Sequence, residues 1–112
     1  MTVEFIEEFG KKYGYEFAHF DRTIYLNRRA KNENLPGDLP TRTIEVFEIR
    51  MKDKDWKIWS YVDGITDTGL LSYLLVFGSD DIDMDEVVEK LEKRIKELKV
   101  SNSLEKIKND FK

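Results

Sequence analysis

The sequence predicts an α+β domain: an N-terminal helix, an antiparallel sheet of three to four strands, then a C-terminal amphipathic helix followed by a short terminal helix. Three observations predict it. Phe5, Ile6, Phe9 and Tyr13 recur at helical spacing near the start. Two alternating runs in the middle of the chain fit one antiparallel register. Met84, Val88, Leu91, Ile95 and Leu98 draw a second helical stripe. Helices and a sheet in this order segregate, with the helices on one face.

The first helix is expected from Val3 to about Tyr13, with Thr2 as its cap and Gly14 as the left-handed residue that ends it. Gly10 weakens its interior. Tyr15 to Arg29 alternates in two runs with a break near Phe20-Asp21, an extended segment that a hairpin would explain. Ala30 to Thr41 holds both prolines and the turn-like Pro36-Gly37-Asp38. It is expected as a loop, either mobile or a binding element.

Thr43–Met51 should pair with Trp56–Asp63 around a tip at Lys52-Asp53-Lys54-Asp55. Setting Met51 opposite Trp56 puts Ile49 opposite Ile58, Phe47 opposite Ser60 and Glu45 opposite Val62 on a mostly apolar face. The other face receives Arg50 with Lys57, Glu48 with Trp59, Val46 with Tyr61 and Ile44 with Asp63. Leu70 to Phe77 is apolar at both parities, which suits a strand buried on both faces or a buried helical segment.

The last long helix is expected from Met84 to about Val100. Asp83 and Glu86 have capping-box spacing, and Glu86–Lys90, Glu89–Lys93 and Glu92–Lys96 are spaced i, i+4 with the acid first. Ser101-Asn102-Ser103 should interrupt it, leaving Leu104, Ile107 and Phe111 for the short terminal helix.

The 112 residues fit a single domain, 1–112. Charged residues are 38% of the chain, above the ~25% of an ordinary soluble domain. Aromatic residues, at 12%, are numerous enough to close a small core nonetheless. No cysteine is present, which excludes disulfides, thiolate chemistry and zinc sites built on sulfur. The stretch Thr2 to Glu8 lacks the basic start and apolar run of a signal peptide, and Leu70 to Phe77 is too short to span a bilayer. The expectation is a cytoplasmic protein without membrane contact. The lysine-, glutamate- and isoleucine-rich composition resembles that of small accessory proteins of low-GC bacteria and their phages.

No residue pattern singles out a catalytic centre. The one histidine, His19, has no nucleophile motif near it and reads as a strand or turn histidine. Asp81, Asp83, Asp85 and Glu92 fall at positions one, three, five and twelve of a calcium-loop template, but Glu86 stands where the sharp turn needs glycine. Acids in a first helical turn are favoured by the helix dipole alone. Gly64 to Gly69 lacks the lysine of a phosphate-binding loop. No cofactor and no metal are expected.

The chain carries a net charge of −4, unevenly spread. Gly64 to Glu92 holds eight acids against Lys90 alone, and the residues from Lys93 onward carry a net +4. The acids Asp80, Asp81, Asp83, Asp85 and Glu86, with Trp59 and Tyr61, are therefore candidates for docking a basic protein partner, whose approach such charge steers. An inhibitor, an immunity-type protein or an accessory factor would use such a surface. The alternative is nucleic-acid binding through an aromatic and basic sheet face. It would use Trp59 and Tyr61 to stack bases and Arg22, Arg28, Arg29, Lys31, Arg42, Arg50 and Lys57 to meet phosphates. Overall acidity weighs against that alternative. The order helix, three strands, helix looks like the double-stranded RNA-binding domain, but that family opens its last helix on a basic cluster. Here the start is Asp83-Met84-Asp85-Glu86, of the opposite sign, so the family is excluded. The sequence sets no oligomeric state.

Overall fold

The computed structural model describes residues 1–110, with side chains through Glu105. Its order is α1 (Val3–Tyr13), β1 (Glu16–Phe20), β2 (Thr23–Arg29), a 3-10 turn (Leu39–Thr41), β3 (Thr43–Lys52), β4 (Asp55–Ile65), β5 (Leu71–Ser79) and α2 (Met84–Asp110). The α+β class and the antiparallel sheet hold. The strands number five rather than three or four, paired in chain order β1-β2-β3-β4-β5. The break at Phe20-Asp21 is the turn of a full β1–β2 hairpin, with Phe20 opposite Thr23.

Helix α1 forms where its signals place it. The Thr2 hydroxyl accepts from the Phe5 N–H at 3.1 Å, and Gly14 closes the helix at φ +71°. Ile6 and Phe9 are buried, and the Phe9 ring meets Phe47 of β3 edge-on at 5.9 Å. Gly10 is more than a weak point. A Cβ there would lie 3.0 Å from the Leu26 side chain of β2, so its bareness lets the helix approach the sheet.

The β3–β4 hairpin turns on Asp53 and Lys54, both at positive φ (52° and 64°), as a two-residue hairpin turn requires. The expected register holds next to the turn: Met51 opposite Trp56, Arg50 opposite Lys57, Ile49 opposite Ile58. It then slips. A bulge between Ile58 and Ser60 places Ser60 opposite Glu48 and Tyr61 opposite Phe47. A residue inserted into one strand reverses the face of everything beyond it. Trp59 and Tyr61, expected on one face, therefore lie on opposite faces. Tyr61 packs against Phe47 beneath the helices, with ring centres 6.4 Å apart.

Helix α2 presents Met84, Val88, Leu91, Ile95 and Leu98 to the sheet, all buried. Each contributes ~1.5–3 kcal/mol of apolar burial. The Asp83 carboxylate accepts from the Glu86 N–H at 3.2 Å, as a cap should. Ser101-Asn102-Ser103 does not interrupt the helix, which runs on to Asp110. Asn34 bonds both Asn102 and Ser103 at 2.7 Å, a tertiary partner that offsets their poor helix propensity. The side chains of Ile107 and Phe111, assigned to a separate terminal helix, lie outside the described residues.

The 30–41 segment packs against the rest of the domain. Ala30, Leu35 and Leu39 are buried, and Leu39–Thr41 forms the 3-10 turn. Gly37 sits so close to the β4–β5 connection that a Cβ would meet the Thr68 carbonyl oxygen at 2.5 Å.

Both helices pack on one face of the sheet. The other face is uncovered among the described residues. Strand β5, expected to be buried on both sides, is an edge strand. The meander leaves it without an outer neighbour, and α2 lies over β4 instead. No helix among the described residues is long and apolar enough to cross a membrane.

Candidate functional site

The acidic candidates separate into engaged and free groups. Asp80 is bound by Lys57 at 2.5 Å, and Lys57 holds its carboxyl below the usual range. Asp85 accepts from Lys12 at 2.8 Å and from the Tyr13 hydroxyl, and these bonds lower its carboxyl likewise. Asp83 is the helix cap. Asp81 and Glu86 have no ion pair within reach among the described residues.

Four of the nominated residues meet at one place. Tyr61, Asp81, Asp83 and Glu86 line a concavity of about 310 Å³ between β4 and the start of α2, together with apolar Val62, Ile82 and Val87. Its one basic wall residue, Lys90, faces Asp63 at 3.5 Å. The bulge at Trp59 brings Tyr61 here, by turning that ring to the helix side. A lining that mixes apolar side chains with exposed acids suits a lysine or arginine side chain, whose alkyl stem and charged head need different surroundings.

Trp59 belongs to the uncovered face. The Arg50 guanidinium lies 4.9 Å from its ring centre, and Arg50 also donates to Glu48 at 2.7 and 2.9 Å. Glu48 accepts in turn from the Ser60 hydroxyl at 3.2 Å. Tyr25 lies opposite Glu48, Leu75 opposite Ser60 and Tyr73 opposite Val62, which carries the apolar character of this face out to the β5 edge.

The basic candidates do not form one patch. Arg28 is sunk into the helix side. It donates to Glu33 at 2.6 and 3.0 Å and to Glu92 at 2.6 and 3.3 Å. Burial alone would lower its pKa, but these carboxylates more than offset that and raise it. Glu92 is thus taken by Arg28 rather than by Lys96, and it also accepts from the Tyr15 hydroxyl at 2.8 Å. Burial, then that bond, pushes Tyr15 far above a free phenol. Lys57 is held by Asp80 and Asp55, Arg50 stacks on Trp59, and Arg22 lies in the β1–β2 turn. Only Arg29, Lys31 and Arg42 converge. They line a second concavity of about 480 Å³ with Asn32, Pro40, Thr41 and Thr43, and no carboxylate is among its lining residues. Arg29 is paired with Glu16 at 2.6 Å, and Arg42 stands 4.0 Å from Asp38.

His19 lies on the short edge strand β1. Its Nε2 is 3.1 Å from the Asp21 carbonyl oxygen, and its ring meets Trp56 edge-on at 5.3 Å. The four carboxylates of the calcium-loop spacing point to four different partners or none. No group of three metal-ligating side chains capable of holding an ion occurs among the described residues.

Sequence reasoning missed the β5 edge as a surface. Its signal was present: from Thr68 to Ser79 the chain has no charged residue and no proline. Comparison with protein-family models, with curated proteins and with solved structures finds no match for this chain.

Proposed function

We propose that this chain is a non-enzymatic protein-binding module that docks a basic segment of its partner at the acidic concavity. One observation carries the reading: Tyr61 of β4 joins Asp81, Asp83 and Glu86 in lining one concavity with apolar Val62, Ile82 and Val87, and Asp81 and Glu86 have no ion pair among the described residues. Unpaired rim carboxylates steer a cationic partner and fix its register. An inhibitor, an immunity-type protein or an accessory factor in a bacterial or phage cytoplasm would work in this way.

The test is capture by the tagged chain from a low-GC bacterial lysate, with nuclease present. The expected result is a discrete protein that elutes with salt and falls at least tenfold with the Asp81→Lys/Glu86→Lys variant, while circular dichroism stays unchanged. Equal capture by the folded variant would remove the concavity as the docking site.

A second reading has its own support. The Arg29, Lys31 and Arg42 concavity offers three cations and two threonine hydroxyls to a phosphate, the chemistry of a nucleic-acid backbone contact. Lys31→Glu with Arg42→Glu should then abolish salt-sensitive retention of single-stranded nucleic acid. No retention by the unmodified chain at low salt would end this alternative.

A further inference from the structure

The two edges of the sheet are built differently. Strand β1 is five residues long and carries Glu16, paired with Arg29, and His19. Short length and charge are the usual protections of an exposed edge. Strand β5 has neither. Its nine residues, Leu71–Ser79, include no charged side chain and no proline. Along and beside it Leu70, Tyr73, Leu74, Leu75 and Phe77 are 63, 40, 44, 57 and 56% exposed. Tyr73 and Leu75 emerge on the uncovered face, and Leu74 lies opposite Tyr61 on the helix side.

We propose that β5 pairs antiparallel with β5 of a second copy, joining two sheets into one. A strand without charge meets itself about a two-fold axis with no like charges opposed, whereas a strand carrying acids or lysines would repel its own copy. Both faces of the new seam are apolar, because exposed side chains come from both parities. Roughly 100 Å² of each of the five side chains is open, so two copies offer about 1,000 Å², near the lower bound of a specific interface, before the backbone is counted. Pairing is confined to Leu71–Val76. Phe77 (φ 44°) and Gly78 (φ 92°) then bulge out of the ladder before Ser79 rejoins it opposite Ile58, and Lys52 crosses close to Gly78. Assembly closes at two, since β1 offers no equivalent edge.

Sedimentation equilibrium from about 1 to 100 μM, the range of moderate dimers, reads the proposal directly. The expected mass is twice the 13.3 kDa of the chain. Leu75→Lys, at an exposed position, should halve it, and Phe5→Lys, equally exposed on α1, should leave it unchanged. A monomer throughout the range overturns the proposal, as does a folded Leu75→Lys variant that stays dimeric. Should Leu75→Lys not fold, hydrogen exchange of the unaltered chain decides. Protection of the 71–76 amides that rises with concentration supports the pairing, and concentration-independent exchange rejects it. The Asp81→Lys/Glu86→Lys variant should remain a dimer, which separates this surface from the docking concavity.

Discussion

The Trp59 indole meets the Phe77 ring edge-on at 5.7 Å, tying β4 to the edge strand on the uncovered face of the sheet. The Arg50 guanidinium lies over the same indole, 4.9 Å from its ring centre. Trp56, three residues earlier, is buried on the opposite face, where its ring meets His19. The two tryptophans therefore report opposite faces. Trp59→Ala should cost about 1–2 kcal/mol, the scale of an aromatic pair plus a cation–π contact at a half-exposed site. Trp56→Ala should cost about 3–5 kcal/mol, as core aromatics do. Urea titration measures both. In acrylamide quenching, the Trp56→Phe variant should emit from an accessible indole and the Trp59→Phe variant from a shielded one.

Arg28 bridges β2 to both the 30–41 segment and α2, through Glu33 and Glu92. Its bonds, with Lys99 beside them, hold the Glu33 carboxyl at about 2, below its ordinary 4.5. A depressed folded-state value contributes stability above the unfolded value and loses it as pH falls toward the folded one. Glu33→Gln should thus destabilise by about 1–2 kcal/mol at neutral pH, allowing for screening at a partly exposed pair. The deficit should shrink between about pH 4.5 and 2, the window set by those two values. Arg28→Met, which strands two carboxylates, should cost about 2–4 kcal/mol, and the double variant less than the sum. Guanidinium melts from pH 2 to 7 check the sign.

Gly69 is locked twice. Its φ of +89° disfavours any side chain, and a Cβ would meet the Pro36 carbonyl oxygen at 2.5 Å. Gly69→Ala should cost about 2 kcal/mol or more, by strain and by prising the 30–41 segment from the β4–β5 connection. In the unaltered chain that segment should resist limited proteolysis, and in the variant it should be cut first.

The local signals were readable and the long-range ones were not. Thr2, Gly14 and the Asp83/Glu86 cap act over a single turn, so spacing alone reveals them. The hairpin register could be read near its turn, but beyond Ile58 a bulge reversed it. Trp56, Ile58, Ser60 and Val62 keep an unbroken alternation that hides the inserted residue; only the polar Ser60 hints at it. The apolar run of β5 looked like a buried strand because periodicity reports side-chain chemistry and not which neighbours arrive to cover it. The convergence of Asp81 and Glu86 on Tyr61 followed from that same bulge, so no linear spacing could give it.

Asp85 and Glu92, two members of the calcium-loop spacing, are turned away from one another. Asp85 ties α2 to α1 through Lys12 and Tyr13, and Glu92 ties it to β2 through Arg28. A cation would have to break both ties to gather the four carboxylates, and α2 would have to unwind from Met84. Millimolar calcium should therefore leave the melting temperature unchanged, since only a ligand that favours the native state raises it. The same geometry separates the acids by role. Asp85→Lys should lower the melting temperature by opposing Lys12 and releasing Tyr13, whereas Asp81→Lys, at a site without a side-chain partner among the described residues, should leave it within error. Equal effects of the two substitutions would mean that the α1–α2 tie contributes nothing to stability.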